Sequence, residues 1–422
     1  MHPLSSILWL VTILVLGGLS WFLADMRFAQ RWSLRRAELG AQDKCHELNQ
    51  HFESGLNCHR PMLLLFQRCV IPGLLEADYA LHLSNQGEHE RALVLVEKAA
   101  RKSSGRPQIQ IAVLPAKATV LLRLGRYAEA KEVVRLGKSL VANPHRSELD
   151  GSLAPRQGAS NILLQEGLME LELGNLDAAL KLGVEASEGP VPDPARALIS
   201  SALTAKGRFQ EALDALVYKP SGFDKFLKPE HLEMLGEDEL FRESAQKMDE
   251  VLDNVFGPAI NLGMALVFLE ADDAENLGAA LERTQSQLKA HQMMEHIFVR
   301  TRACWHAMKG NVAGVEADLT RTRQLTDHRP ASRSAKYEYH LASGRAGFLL
   351  GRHDAAIEEL GAATRLALHP MERHTSHYWL ARANQAANPP AAAELFKTVI
   401  ADGFATWMET DSRDRTKPFK VG

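Results

Sequence analysis

One short phrase, Gly-x-(ring or apolar)-x-x-Ala, recurs along most of this chain, each copy preceded by a small residue seven positions earlier. It reads Gly87-x-His89-x-x-Ala92, Gly125-x-Tyr127-x-x-Ala130, Gly174-x-Leu176-x-x-Ala179, Gly207-x-Phe209-x-x-Ala212 and Gly351-x-His353-x-x-Ala356, with a looser copy at Gly310-x-Val312-x-x-Val315. The residues seven before are Ala80, Ala118, Gly167, Ser200, Gly344 and, for the looser copy, Ala303. Self-similarity at a fixed period sets the architecture ahead of other signals. Two antiparallel helices approach closely only where the crossing point carries almost no side chain, and the Ala of the second helix fills the matching socket. The Gly closes the first helix in a left-handed conformation that needs no Cβ.

With this register fixed, degenerate copies emerge. Asp272 stands in the Gly slot with Ala265 before it and Leu277 after it, Asn388 does so with Ala381 and Ala393, and a weaker copy centres on Glu239 with Phe241 and Ser244 following. The Gly-slot steps run from 32 to 41 residues, apart from one of 49. That long step holds Asn143 to Ala159, rich in Pro and Gly, and reads as an inserted loop.

The pattern resembles the tetratricopeptide repeat family, whose period is about 34 residues. The resemblance covers residues 73–407 and eight or nine units. The family's small residues, turn Gly and second-helix Ala match at the positions quoted. Its large aromatic near the start of each first helix is mostly missing, with His340 and His377 in that slot in two copies, and its closing Pro is patchy. The resemblance implies an all-α, right-handed superhelix of helix pairs whose first helices line a concave groove. It implies a scaffold that binds other proteins and not an enzyme, and it implies no cofactor. A membrane-anchored protein of bacterial type is the expected setting.

The membrane expectation rests on Leu4 to Leu23, an apolar run that spans about 30 Å as a helix, the thickness of a hydrocarbon core. A basic start, a shorter apolar centre and a small-x-small cleavage site would mark a signal peptide, and the run has none of them. The chain therefore divides into an anchor over 1–25, a basic juxtamembrane region over 26–72, the array over 73–407 and a polar tail over 408–422. Arg27, Arg31, Arg35 and Arg36 follow the span and no Lys or Arg precedes it, so the positive-inside bias puts the array in the cytoplasm, at the inner membrane. Arg27, Arg31 and Arg35 are four apart and form one helical stripe toward anionic headgroups.

In the groove register, positions two, five, nine and twelve of each first helix face inward. These are Asn161, Leu164, Leu168 and Leu171 in one unit and Pro194, Ala197, Ser201 and Thr204 in the next. The last three units offer Ile297, Arg300, Cys304 and Ala307, then Glu338, Leu341, Arg345 and Phe348, then Thr375, Tyr378, Arg382 and Gln385. The row Arg300, Arg345 and Arg382 beside Tyr378 and Phe348 suits an acidic or partly apolar peptide segment of a membrane-associated partner, since guanidinium forks pair carboxylates bidentately. The alternative is that these arginines pair with Glu338 and neighbouring carboxylates inside the scaffold. A second basic cluster, Arg321, Arg323, Arg329, Arg333 and Lys336, reads mostly as a solvated loop. The terminal stretch from Asp411 is expected to fray, with Leu395, Phe396, Phe404 and Trp407 covering the last unit.

A net charge of -3 argues against nucleic acid as a partner. The chain has no His-Glu-x-x-His, no phosphate-binding Gly-rich motif, no Gly-x-Ser-x-Gly and no Cys-x-x-Cys, and its 17 histidines are scattered. Cys45, Cys58 and Cys69 lie near His46, His51 and His59, which raises a metal-binding alternative for that region. Their separations of 12 and 10 intervening residues do not match the usual zinc pairs. A further alternative places the array outside the membrane, as an envelope or secretion assembly factor.

Overall fold

The computed structural model describes residues 45–58, 72–142, 153–189, 193–217, 257–288, 292–327 and 332–416. All regular structure among them is helical. After α1 (Cys45–Leu56), eight helix pairs follow: α2 (Leu74–Asn85) with α3 (His89–Ser103), α4 (Pro107–Arg123) with α5 (Tyr127–Val141), α6 (Leu153–Glu172) with α7 (Leu176–Ser187), and α8 (Asp193–Ala205) with α9 (Phe209–Leu216). Then come α10 (257–270) with α11 (Ala274–Gln287), α12 (Gln292–Met308) with α13 (Val312–Asp327), α14 (Arg333–Leu349) with α15 (His353–Leu366), and α16 (Pro370–Ala387) with α17 (Pro389–Asp402), closed by α18 (Trp407–Thr416). The expected copy at Glu239 lies outside the described residues, as do the apolar run 4–23 and Arg27, Arg31 and Arg35. No helix among the described residues is long and apolar enough to cross a membrane.

The turn chemistry read from the phrase is present. Gly87, Gly125, Gly174, Gly207, Gly310 and Gly351 all have φ between 68° and 87°. In each turn the Gly N–H donates three residues back and the next N–H donates five residues back, as in Gly125 to Leu122 and Arg126 to Leu121. This is the Schellman arrangement, which satisfies the last helical carbonyls and requires a left-handed residue. Asp272 adopts it with φ 57°, so the degenerate copy keeps the turn without the glycine.

The crossing points are buried as the packing argument requires. Ala80, Ala265, Ala303 and Ala381 are fully inaccessible, as are the second-helix Ala92, Ala130, Ala179, Ala212 and Ala356. At Gly167 an added Cβ would lie 2.4 Å from Leu198 Cδ2, and at Gly344 2.4 Å from Leu360 Cγ, so a side chain at either place forces its neighbour to shift.

Three expectations are corrected. The inserted loop is shorter than Asn143 to Ala159, because α6 begins at Leu153 and takes Pro155 into its first turn, where a missing N–H is tolerated. Gly158 is helical and packs against Ile111, whose Cγ2 is 2.3 Å from where a Cβ would sit. In the last pair Asn388 is not a left-handed turn residue. It has φ -146° and caps α17 by accepting from the Ala391 N–H. The buried alanine is then Ala392 instead of Ala393: the spacing from Ala381 is 392 − 381 = 11, against 92 − 80 = 12 in the first pair.

The chain from Asp411 is not frayed up to Thr416. The buried His374 ring bonds Asp402 at 2.8 Å through Nδ1 and Thr406 at 2.8 Å through Nε2. Thr406 Oγ1 in turn accepts from the Glu409 N–H, which starts α18. The Tyr378 hydroxyl donates to Asp411 at 2.8 Å.

Candidate functional site

Seven of the positions assigned to the groove line one cavity of about 660 Å³, and the others do not. Leu171, Pro194, Ala197, Ser201, Thr204, Ile297 and Thr375 all line it. Leu164 and Leu168 lie off it, packed with Ala179, Leu198 and Ala202. The sequence reading left out α10, which contributes Ala259, Leu262 and Leu266 among others. The same register applied to the Asp272 copy would have found those three. Trp407 covers the last unit as expected, its ring 5.2 Å from that of Tyr378, and with Met408 it also forms part of the cavity wall.

Contacts far apart in sequence explain why the groove is a lumen. The turns of the first four pairs meet the starts of the C-terminal elements. Gly87 packs on Ser332, Gly125 on Leu368, Gly174 on the Phe404 ring and Gly207 on Trp407. Tyr127 hydrogen-bonds His369 Nδ1. The superhelix thus completes a turn and rests on its own beginning, with α16 and α18 closing the space that first helices alone would leave open.

Burial and like charges shape the electrostatics there. Glu172 lines the cavity, and its pKa is raised to about 7, first by desolvation and then by the carboxylates of Glu372 and Glu338, with Arg123 opposing. Part of its surface remains accessible, on the side that lines the cavity. Glu372 is also raised by burial, although its carboxylate caps α16 by accepting from the Leu368 and His369 N–H groups at 2.7 and 3.1 Å. His369 is lowered to about 4 by burial and by Arg123, Arg333 and Arg373.

The arginine row is paired within the scaffold. Arg300 reaches Glu338 at 3.0 Å. Arg345 is only 6 % exposed, reaches Glu270 at 2.5 Å, and stacks 4.2 Å over Trp379. Arg382 donates to the Tyr378 hydroxyl at 2.8 Å and lies 5.2 Å over Phe348. Tyr378 is fully buried. The structure therefore joins Arg345, Trp379, Phe348, Arg382 and Tyr378 in one stack and leaves Arg300 with Glu338. A partner's carboxylate would have to displace an internal one at Arg300 and at Arg345. The second basic cluster is likewise used: Arg321 pairs with Glu295 at 2.8 Å, Arg323 donates to the Tyr339 hydroxyl, and Arg333 donates to the Leu366 carbonyl at 2.7 Å, satisfying the end of α15.

Among the described residues no group of three or more His, Cys, Asp or Glu is placed to hold a metal. Cys58 is half-buried, and Cys304 is buried with its thiol pushed up by desolvation. Cys69 and His59 lie outside the described residues.

No family model and no curated protein matches the sequence. Solved structures do match the fold. A Rap protein complexed with Competence and Sporulation Factor aligns with a TM-score of 0.55 at 12 % identity, over 92 % of this chain and 97 % of that one. The APC/C hetero-tetramer Cut9–Hcn1 aligns with a TM-score of 0.52 at 14 % identity, over 88 % of this chain and 59 % of that one. Both are tetratricopeptide-repeat structures, and the likeness establishes a tetratricopeptide-like helical array as the fold.

Proposed function

We propose that this protein is a membrane-tethered scaffold that takes a short, largely apolar segment of another protein into the lumen of its array. The observation that carries the reading is the convergence of first-helix positions from several successive pairs on one apolar cavity. A cavity of this size is in the range of ligand sites, and its wall offers apolar area with few polar groups to fix orientation. In one structure of like fold, the array is complexed with a separate factor.

The tether comes from the sequence alone: the apolar run 4–23 with Arg27, Arg31 and Arg35 behind it, which assigns the array to the cytoplasmic face of the inner membrane. Confinement to a surface raises the effective concentration toward other membrane proteins, so a modest lumen affinity suffices. The role is binding and not catalysis.

Photo-crosslinking tests the reading. A photoreactive residue at Thr204, on the cavity wall, is expected to trap a discrete partner in native membranes, and one at the exposed Val184 is not. Equal labelling from both positions, or none from Thr204, rejects the lumen as the binding place. Protease added to spheroplasts tests the topology: a cytoplasmic array stays intact, whereas digestion moves it outside, as an envelope assembly factor requires.

A further inference from the structure

The cavity wall is mostly aliphatic, but two carboxylates reach it, Glu270 and Glu172. Glu270 is committed to Arg345. Among the described residues no hydrogen bond or ion pair reaches Glu172. The charges that act on it are Glu372 and Glu338, which oppose its ionised form, and Arg123, which favours it. Arg196 also lines the cavity and has an interaction of its own. Glu372 and Glu338 have their own partners, the α16 N–H groups and Arg300. Glu172 is thus the carboxylate in this group left open to the cavity.

Size narrows the occupant. One turn of α-helix with its side chains, about 11 Å across and 5.4 Å long, fills roughly 500 Å³. A cavity of about 660 Å³ therefore has room for about one turn, or a comparably short extended piece.

Charge narrows it further. An anionic group would become a further like charge beside Glu172, Glu372 and Glu338. A cation would offset that repulsion and the desolvation of Glu172 together, and a charge-assisted bond in such surroundings is stronger than one in water. We infer that the cavity holds a short apolar peptide segment whose one basic side chain, lysine or arginine, pairs with Glu172. The inference rests on the peptide-binding reading above and specifies the chemistry of the peptide.

The test uses the full-length chain in lipid nanodiscs and fluorescent hexapeptides of Leu, Val and Ala with one central Lys, norleucine or Glu, followed by anisotropy. The Lys peptide is expected to bind at least about tenfold tighter than the norleucine peptide, with the Glu peptide weakest. Glu172→Gln should bring Lys and norleucine within about twofold of each other. Should Glu172→Gln lose its helical circular dichroism, Glu172→Asp serves instead, with the preference reduced but of the same sign. Equal binding of Lys and norleucine peptides by the native chain, or a Lys preference that survives at Glu172→Gln, overturns the inference and leaves the peptide reading standing. Failure of all three peptides to bind, insensitivity of binding to the cavity-filling Ala197→Trp, or saturable uptake of a free alkylamine in place of the peptides overturns the reading beneath it as well.

Discussion

The Tyr127 hydroxyl and the His369 ring, 242 residues apart in the chain, are hydrogen-bonded where the second helix pair meets the start of α16. The same place holds Gly125 against Leu368. This contact converts a concave face into a lumen. Tyr127→Phe removes the bond and leaves a buried imidazole nitrogen unpaired, at about 1–3 kcal/mol. Faster amide exchange over 368–373, with α10 and α11 unchanged, is the expected result.

Two groups near the closure titrate in opposite senses. His369 is held near 4, below its ordinary value near 6.5, so its neutral form is favoured by folding. The stability it protects is present above about pH 6.5 and is lost as pH falls toward about 4, on the order of 3 kcal/mol in all. Glu172 is raised from 4.5 to about 7, so folding favours its protonated form. Its contribution is present below about pH 4.5 and is lost as pH rises toward about 7. The slopes offset each other in the native chain. Denaturation midpoints against pH should therefore tilt in opposite directions: His369→Gln leaves stability falling as pH rises from 4.5 to 7, and Glu172→Gln leaves it falling as pH drops from 6.5 to 4.

A pair of glycine substitutions separates crossing points from free helix surface. Gly344→Ala puts a methyl 2.4 Å from Leu360 Cγ and 3.1 Å from its backbone N, and should cost about 1–3 kcal/mol. Gly361→Ala meets nothing nearer than the Arg365 guanidinium at 3.5 Å and should stabilise by about 0.5–1 kcal/mol. Thermal unfolding of the two variants should shift in opposite directions.

Asp272 holds a left-handed backbone at φ 57° in the slot where six other units have glycine. Asp272→Gly should raise stability by up to about 1 kcal/mol, less the chain entropy that glycine adds to the unfolded state. A lower denaturation midpoint would show that the aspartate side chain contributes more than its backbone strain removes.

His374 ties the last pair to α18 through Asp402 and Thr406. His374→Phe strands the buried Thr406 hydroxyl, removes the bond to the solvent-exposed Asp402 and should cost about 1–3 kcal/mol. Limited proteolysis should then cut first within 403–416, with the preceding pairs resistant.

The turn glycines and the small crossing residues were legible in the sequence, because each arises from local backbone geometry repeated at a constant spacing; the inward face of the first helices was legible only in part, at positions such as Ala197, Ser201 and Thr204. Asn388 misled the register by one, since an N-cap and a left-handed turn draw on the same residue types. The helical start at Leu153 was hidden by Pro155, because a proline punctuates a loop and opens a helix equally well. For the arginine row the sequence leaves open a partner or pairing with Glu338 and its neighbours, and it does not show the partner of Arg345: Glu270 lies 75 positions before it and appears beside it only after three units have stacked.

What the sequence determined by itself was the helix pair and its repetition, since a side-chain-free crossing and a left-handed turn are satisfied within some 30 residues. Only the tertiary structure decided that the groove closes. Whether Tyr127 reaches His369, or Trp407 reaches Gly207, depends on small rotations summed over many units. No single unit encodes that sum, and the enclosure of the lumen, together with the desolvation of Glu172 within it, exists only once the superhelix meets its own beginning.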